Sequence, residues 1–355
     1  MIKLVNDTIN NTDIDHLIDW LKTYPRLTKG PLTVELEKKW SKWLGVDNSI
    51  FCNSGSSANL LMLWALVEAN RINKDAKVVV PSAAWATDLS PVIQLGMTPI
   101  LCDINLKNLS VDLNHLETIF KETKPEVLLL VSVLGLVPDM QKINELCNKY
   151  NVILLEDTCE SMGSKWENKK LGTFGLMSSF STYFGHHIDS SPEYSKQLRN
   201  QWETSNFDAL YTFYHSGFNL RSTDLQAFIG LGQIDKLDDI CKKRNKNFKI
   251  YQQELSSIRP YINECSQNFI SNFAYPVISE NRDSIVAVLQ KENIEVTQPF
   301  YVKEYGKKEL PNASIIDKWG FYIPNHPGLS KKDIIKISNI IRETDKLIDP
   351  YLQTK

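Results

Sequence analysis

Residues 127–160 read VLLLVSVLGLVPDMQKINELCNKYNVILLEDTCE, and this stretch decides the fold. Two continuous apolar runs, 127–133 and 152–156, flank residues 140–150, where apolar side chains recur at helical spacing. Two strands joined by a helix form a parallel unit, and apolar runs without alternation are typical of strands covered on both faces. The stretch therefore predicts an α/β fold built on a parallel sheet.

The same alternation of strands and helices extends over residues 50–185. The other predicted strands are 49–52, 77–80, 98–103 and 177–182, and the other predicted helices are 57–70, 87–95 and 113–121. Because such a rhythm is typical of α/β proteins, we expect a mostly parallel sheet flanked by helices.

The chain outside this core carries further helices. They are predicted at 13–23, 32–44, 282–293 and 331–344, with one long helix at 224–248 and a strand at 273–277. Residues 165–172 have the composition of a polar surface turn. We expect a large domain with N-terminal helices over residues 1–245 and a smaller C-terminal α+β domain over 246–355.

Composition narrows the function classes. Among 355 residues, 42% are hydrophobic, and 40 Lys and Arg nearly balance 42 Asp and Glu. This balance provides no basic field for nucleic acid, and the longest apolar run, 127–137, is too short to span a bilayer. Six cysteines lack a C-x-x-C pair, which argues against a disulfide scaffold or a zinc site. We expect a cytoplasmic protein with reduced cysteines, no metal, and no nucleic-acid or membrane partner.

Residues 53–58, NSGSSA, lie between a predicted strand and a predicted helix. A helix N-terminus points backbone N–H groups at an anion, and small residues allow close approach, so the segment indicates a phosphate site. A capped turn without a ligand explains the same residues equally well, because Ser and Gly are preferred there.

Asp157 ends the predicted strand 152–156, at the edge where open α/β sheets bind ligands. A buried carboxylate needs a cationic or N–H partner. A protonated pyridine nitrogen of a cofactor meets that need, and so does a helix N-terminus, which leaves capping as the alternative.

Two adjacent histidines, His186 and His187, follow the predicted strand 177–182. Adjacent side chains of a strand point to opposite faces, so the pair is a poor metal chelate. One of them is a candidate base near neutral pH, and a structural histidine is the alternative.

Together these segments resemble the DegT/DnrJ/EryC1/StrS sugar aminotransferases, a family of fold type I pyridoxal-phosphate enzymes with an aspartate aminotransferase-like fold. The resemblance covers nearly the whole chain. The motifs that carry it are LTKGP (27–31), CNSGSSAN (52–59), VPSAAWATD (80–88), EDTCESMGSKWENKKLGTFG (156–175), FSTYFGHH (180–187), GFNLRSTDLQAFIGLGQIDKL (217–237) and GFYIPNHPGL (320–329). It implies pyridoxal 5′-phosphate or pyridoxamine 5′-phosphate as the cofactor.

The resemblance implies a set of cofactor-binding residues, namely Gly55, Ser56, Trp85, Asp157, Glu160, Ser181 and Asn219. In this set Asp157 binds the ring nitrogen, Trp85 stacks on the ring, and Glu160 lies near the 3-hydroxyl or the amine. The small residues hold the phosphate, together with Asn219 of the neighbouring subunit, so the resemblance implies a homodimer with a shared site. A packed aromatic residue is the alternative for Trp85, and a turn residue is the alternative for Asn219.

The family's lysine that binds the cofactor covalently falls at His186 of this chain. Histidine can transfer a proton but cannot hold the cofactor, so the departure implies free pyridoxamine phosphate. It further implies C3 dehydration of a nucleotide-linked 4-keto-6-deoxyhexose, GDP-4-keto-6-deoxy-D-mannose, with His186 as base and glutamate as amino donor. This chemistry belongs to the biosynthesis of GDP-colitose, a 3,6-dideoxysugar of lipopolysaccharide O-antigens.

Other functions stay open at this point. A nucleotide-sugar aminotransferase requires a lysine that can bind the cofactor, and an iron–sulfur 3-dehydratase requires clustered cysteines. A non-catalytic cofactor-binding regulator requires neither. The chain is shorter than the family after His187 and near Thr297, at two active-site loops. We expect that the natural protein has these segments and that this sequence omits them; a chain that truly lost them, and its activity with them, is the alternative. The chain retains Asp157, Glu160 and His186, and these residues favour an enzyme over a non-catalytic regulator.

Overall fold

The computed structural model describes residues 1–181, 186–188, 218–258, 268–298 and 310–346, with the main chain alone at 186–188. The strands up to residue 188 are β1 (Ile50–Phe51), β2 (Lys77–Pro81), β3 (Thr98–Cys102), β4 (Val127–Val131), β5 (Ile153–Asp157), β6 (Lys165–Trp166), β7 (Lys169–Lys170), β8 (Met177–Ser181) and β9 (His186–Ile188). Seven of them form one sheet in the order β1-β9-β8-β5-β4-β2-β3. The pair β6 and β7 forms a separate antiparallel hairpin.

The central sheet is mostly parallel. Strands β3, β2, β4, β5 and β8 run parallel to one another, and β9 pairs antiparallel with β8 on one side and β1 on the other. All five residues of β4 are at most 4% exposed, as expected for a strand covered on both faces. The α/β prediction and the mostly parallel sheet are confirmed.

Six helices precede residue 151, and several of them cover this sheet. They are α1 (Asn11–Leu21), α2 (Pro31–Leu44), α3 (Gly55–Glu68), α4 (Ala86–Gln94), α5 (Leu113–Thr123) and α6 (Met140–Tyr150). Pro31 starts α2, where its missing N–H has no cost, and Gly45 ends that helix at φ +92°. Helix α3 packs on both α4 and β8, which brings its first turn to the edge where the strands end.

The C-terminal part is built from helices around a two-stranded sheet. Its helices are α7 (Asp224–Ile234), α8 (Leu237–Glu254), α9 (Arg282–Lys291), α10 (Pro311–Trp319) and α11 (Lys331–Lys346), and its strands are β10 (Ala274–Ile278) and β11 (Gly320–Pro324). The two strands pair antiparallel, and α11 packs on α8 and α9. The expected domain boundary after residue 245 falls inside α8, and the division into domains stays a prediction.

The long helix predicted at 224–248 is wrong, because α7 ends at Ile234 and α8 begins at Leu237. The Lys236 N–H bonds to the Gln233 carbonyl, a tighter turn than that of an α-helix. The Lys236 ammonium also contacts both carboxylate oxygens of Asp13 at 2.7 Å. The break therefore coincides with a contact 223 residues away in sequence, and Gly232 lies two residues before the end of α7.

Some elements were not expected. Helix α10 and strand β11 had no prediction, and residues 165–170, expected as a polar turn, form the β6–β7 hairpin. Across the described ranges, no helix is both long and apolar enough to cross a membrane.

Candidate active site

Asp157, the last residue of β5, is the centre of the site. Its side chain is 6% exposed and accepts two hydrogen bonds, from the Cys159 N–H at 2.9 Å and from the Asn59 side-chain amide at 2.6 Å. Asn59 lies in α3, and its amide oxygen accepts a bond from the Ser179 hydroxyl at 2.7 Å. Helix α3, β5 and β8 therefore fix the orientation of this carboxylate together.

A second buried carboxyl, Asp88, lies beside the first. It is 1% exposed in the first turn of α4. It accepts the Asn59 amide at 3.0 Å and the Trp85 N–H at 3.0 Å. Burial, followed by the neighbouring charge of Asp157, raises the pKa of Asp88 well above its ordinary value. Sequence reasoning missed Asp88 and Asn59, and the signal that could have found them is a polar residue within an otherwise apolar helical turn.

Trp85 and Glu160 form a hydrogen-bonded pair. The Trp85 indole N–H donates to one Glu160 oxygen at 3.1 Å, and the Leu134 N–H donates to the other at 2.6 Å. Burial raises the pKa of Glu160. Trp85 is 39% exposed, so it is not the packed aromatic residue of the alternative interpretation. Glu160 thus holds the indole through its N–H. The expected contact of Glu160 with the cofactor stays a prediction.

Gly55 and Ser56 are the first two residues of α3, where helical N–H groups have no intrahelical partner. The hydroxyl of the preceding Ser54 accepts the Ser57 N–H at 3.0 Å, so the turn is capped by its own serine. The capped-turn interpretation therefore holds for Ser54. The N–H groups of Gly55 and Ser56 precede that capped position, and phosphate binding there stays a prediction.

The other expected site residues are partly described. Ser181 ends β8, and the backbone register pairs it with His186 of β9, whose side chain lies outside the described residues. Asn219 is exposed and accepts a bond from the Arg221 side chain at 3.0 Å. The Asn53 N–H bonds to the Leu220 carbonyl, so the Asn219 segment lies beside the start of α3 in the same chain.

Three nearby lysines point to other partners. Lys170 donates to the Trp43 carbonyl and lies 4.1 Å above the Trp43 ring. The ammonium groups of Lys169 and Lys165 lie over the rings of Phe174 and Phe269, at 4.4 Å and 5.8 Å. These contacts agree with the expectation that none of the three replaces the missing lysine.

A cavity lies beside Glu160. A cavity of about 160 Å³ has Cys159, Glu160 and Ser181 in its wall, together with the N-terminal residues 5–9 and Arg244. The five described cysteines are free, and four of them are buried. Within the described ranges, no group of three or more His, Cys, Asp and Glu could hold a metal ion.

Glu156, which precedes Asp157, holds the next loop in place. It is fully buried and accepts three backbone N–H groups, from Gly172, Phe174 and Gly175, each at 2.7 Å. Burial raises its pKa, and these three donors oppose that shift. The loop leads into β8, so Glu156 positions the strand that follows Asp157 in the sheet.

Glu156→Gln is expected to lower the free energy of unfolding by about 1–3 kcal/mol, because the amide nitrogen cannot accept and a buried N–H loses its partner. Urea unfolding measures the difference. Glu122, exposed on α5, supplies the control, and Glu122→Gln should change stability by less than about 0.5 kcal/mol. Equally small effects from both variants would show that the carboxylate does not hold the loop.

The sheet is open and mostly parallel, Asp157 is held in place at the end of a strand, and a helix that begins with small residues lies beside it. This arrangement is typical of fold type I, aspartate aminotransferase-like enzymes. The DegT/DnrJ/EryC1/StrS aminotransferase family matches residues 7–342, and the chain belongs to this family. Its members are pyridoxal-phosphate-dependent, sugar-modifying enzymes. The expected fold class and cofactor class are confirmed.

Individual relatives carry two kinds of activity. GDP-4-keto-6-deoxy-D-mannose 3-dehydratase of Yersinia pseudotuberculosis is 28% identical over 89% of this chain and 92% of its own. GDP-perosamine synthase of Caulobacter vibrioides is 26% identical over 95% of this chain and 96% of its own. A crystal structure of GDP-4-keto-6-deoxymannose-3-dehydratase with a trapped PLP-glutamate geminal diamine is 25% identical, covers 96% of this chain and 100% of its own, and superposes with a TM-score of 0.85.

Proposed function

We propose that this protein removes the C3 hydroxyl of a nucleotide-linked 4-keto-6-deoxyhexose, with GDP-4-keto-6-deoxy-D-mannose as substrate, in 3,6-dideoxysugar biosynthesis leading to GDP-colitose. One observation carries the proposal: the chain keeps the ring-binding carboxylate Asp157 but has His186 where the family has its covalent lysine. The similarity to 3-dehydratases supports the assignment.

The residues of the site fit pyridoxal phosphate. Asp157 is a buried carboxylate with two protein donors and no described cationic contact among its hydrogen bonds, and burying such a charge is costly. A protonated pyridine nitrogen supplies the missing positive charge. Trp85, which is 39% exposed, offers its indole for the ring, and Gly55 and Ser56 offer helix-terminal N–H groups for the phosphate. When bound, the cofactor supplies an electron sink.

Each residue then has a defined task. Asp157 holds the proton on the ring nitrogen, and Asn59 keeps that carboxylate in place. Glu160 orients the Trp85 indole. His186 removes the proton at C4′ and protonates the departing C3 hydroxyl, the task for which an imidazole is suited near neutral pH. Glutamate serves as the amino donor that restores the aminated cofactor.

An aminotransferase is the second candidate, because GDP-perosamine synthases match as much of the chain as the dehydratases do. It would need a lysine that binds the cofactor covalently. The ammonium groups of Lys165, Lys169 and Lys170 contact aromatic rings instead. The dehydratase is therefore the better supported of the two.

Borohydride treatment distinguishes the two candidates, because it fixes the cofactor permanently to a lysine that binds it covalently. We expect the protein loaded with pyridoxal phosphate to change its absorbance on addition of glutamate, and to keep its unmodified mass after borohydride. A cofactor-modified lysine peptide at the site would move the protein to the aminotransferases. A protein that binds the cofactor but shows no change with glutamate would instead favour the non-catalytic cofactor-binding regulator.

We also propose a homodimer in which Asn219 reaches the partner's phosphate site. The Asn219 side chain is exposed and therefore accessible to a partner subunit, which supports this arrangement. Mixed dimers test it. Asp157→Ala and Asn219→Ala subunits each weaken cofactor binding in their own homodimers, the second by about tenfold.

A mixed dimer of these two subunits, purified through two different tags, should regain one tight cofactor site. If Asn219 of each subunit contributes to the partner's site, one site of the mixed dimer carries both substitutions and the other site carries neither. Titration of cofactor absorbance counts the tight sites. A mixed dimer with no tight site would show that Asn219 acts within its own subunit, and a monomer in sedimentation would remove the proposal altogether.

A further inference from the structure

Asp88 has no part in the function proposed above, yet it lies at the centre of the site. It is 1% exposed and occupies the first turn of α4. One oxygen accepts the Trp85 N–H, and the other accepts the same Asn59 amide that holds Asp157. The Asp88 side chain therefore contacts both the turn that carries Trp85 and the Asn59 amide that binds Asp157.

The surroundings of Asp88 do not favour a negative charge. The Asn59 amide nitrogen lies 3.0 Å from one Asp88 oxygen and 2.6 Å from one oxygen of Asp157 on β5, so the two buried carboxyl groups share one donor. Glu160 adds a further acidic group from the segment after β5. Asn59 on α3 and the Trp85 N–H are neutral donors, and burial raises the pKa of the nearby Cys159 thiol, so this group supplies no positive charge. Two carboxyl groups bound to one amide nitrogen and out of water disfavour a second negative charge, which leaves a proton for one of them to carry.

We propose that Asp88 is a neutral carboxylic acid and a positioning residue for Asp157, to which it donates its proton in a hydrogen bond. A hydrogen bond donated to a carboxylate favours the charged form. Asp88 thus supports Asp157 as the carboxylate that holds a protonated ring nitrogen, while its second oxygen holds the Trp85 turn. The link to the ring nitrogen rests on the proposed function, whereas the shared proton does not.

The titration of Asp88 has a defined sign. Burial and the charge of Asp157 raise the pKa of this carboxyl in the folded protein. The folded state then binds more protons than the unfolded state above about pH 4, so this group's contribution to stability falls as pH rises toward its folded pKa. Asp88→Asn cannot titrate, and its stability relative to the wild type should increase over the same range.

Infrared spectroscopy of cofactor-free protein tests the proposal directly. With ¹³C-labelled aspartate, the wild type at pH 7 should show a carboxylic-acid C=O band that is absent from Asp88→Asn. Asp139, the N-cap of α6, supplies the control, because Asp139→Asn should leave both the band and cofactor binding unchanged. If Asp88→Asn does not fold, the wild type alone tests the proposal: its acid band at pH 7 should disappear when the pH is raised.

Cofactor binding provides the second measurement. Asp88→Asn keeps an N–H donor toward Asp157 and should retain affinity for pyridoxal phosphate to within about threefold, whereas Asp88→Ala should lose about tenfold or more. Absence of the acid band at pH 7, or equal losses in both variants, would overturn the proposal. A wild type that shows the band but binds no cofactor would contradict the proposed function and leave the shared proton standing.

Discussion

Asp157→Ala is expected to weaken the binding of pyridoxal phosphate by about 10²- to 10³-fold and to lower turnover by at least as much. Removing one partner of a buried, hydrogen-bonded charge pair costs about 3–5 kcal/mol. The loss should be larger here than in a family member with a lysine, because His186 leaves the cofactor without a covalent bond. Non-covalent contacts then carry the whole affinity.

Asp157→Asn separates charge from shape. Asparagine preserves the volume and can still accept the Cys159 N–H, but it carries no negative charge for the ring nitrogen. We expect a loss in affinity close to that of Asp157→Ala, measured by absorbance titration on protein whose circular dichroism matches the wild type. Wild-type affinity in Asp157→Asn would reduce the residue to a cap of the turn that follows β5.

His186→Lys is expected to bind the cofactor covalently and to lose dehydration activity by about 10²- to 10⁴-fold, the range that a positioned acid–base residue contributes. Lysine would trap the cofactor and would also remove the imidazole that accepts the C4′ proton. Borohydride followed by peptide mass analysis detects the covalent product, and consumption of the 4-keto sugar measures activity. Normal dehydration by this variant would show that His186 is not the base.

His187→Lys is the matched control, because it introduces the same amine one residue further along β9. Successive side chains of a strand point to opposite faces, so only one of the two positions can face the cofactor. We expect no covalent cofactor in His187→Lys. Trapping in that variant alone would exchange the roles of the two histidines.

The parallel core could be predicted from sequence because its strands are continuous apolar runs. Strands β4 and β5 and helix α6 lie where the pattern places them, since short β-branched apolar runs on either side of a helical segment are typical of strands buried on both faces. The break between α7 and α8 was missed, although Gly230 and Gly232 near the end of α7 are a local signal for it. It coincides with the pairing of Lys236 with Asp13, which the local sequence does not show.

The candidate site, like the fold, could be predicted from sequence only in part. The carboxylate Asp157 follows an apolar strand, and that position alone indicates a ligand-binding residue. Asn59 and Asp88 are 98 and 69 residues from Asp157 in sequence, and only the packing of α3 and α4 against the sheet brings the three together. Each of the two also lies within a helix, where a polar residue has many ordinary explanations.

The measurement that tests the central claim most directly is product analysis with GDP-4-keto-6-deoxy-D-mannose, pyridoxal phosphate and glutamate. We predict a GDP-linked 3-deoxy-4-keto sugar, with ammonia and 2-oxoglutarate formed in equal amounts, and no nitrogen in the sugar. A GDP-linked 4-amino sugar, which retains its C3 hydroxyl, would contradict the dehydratase assignment and identify an aminotransferase.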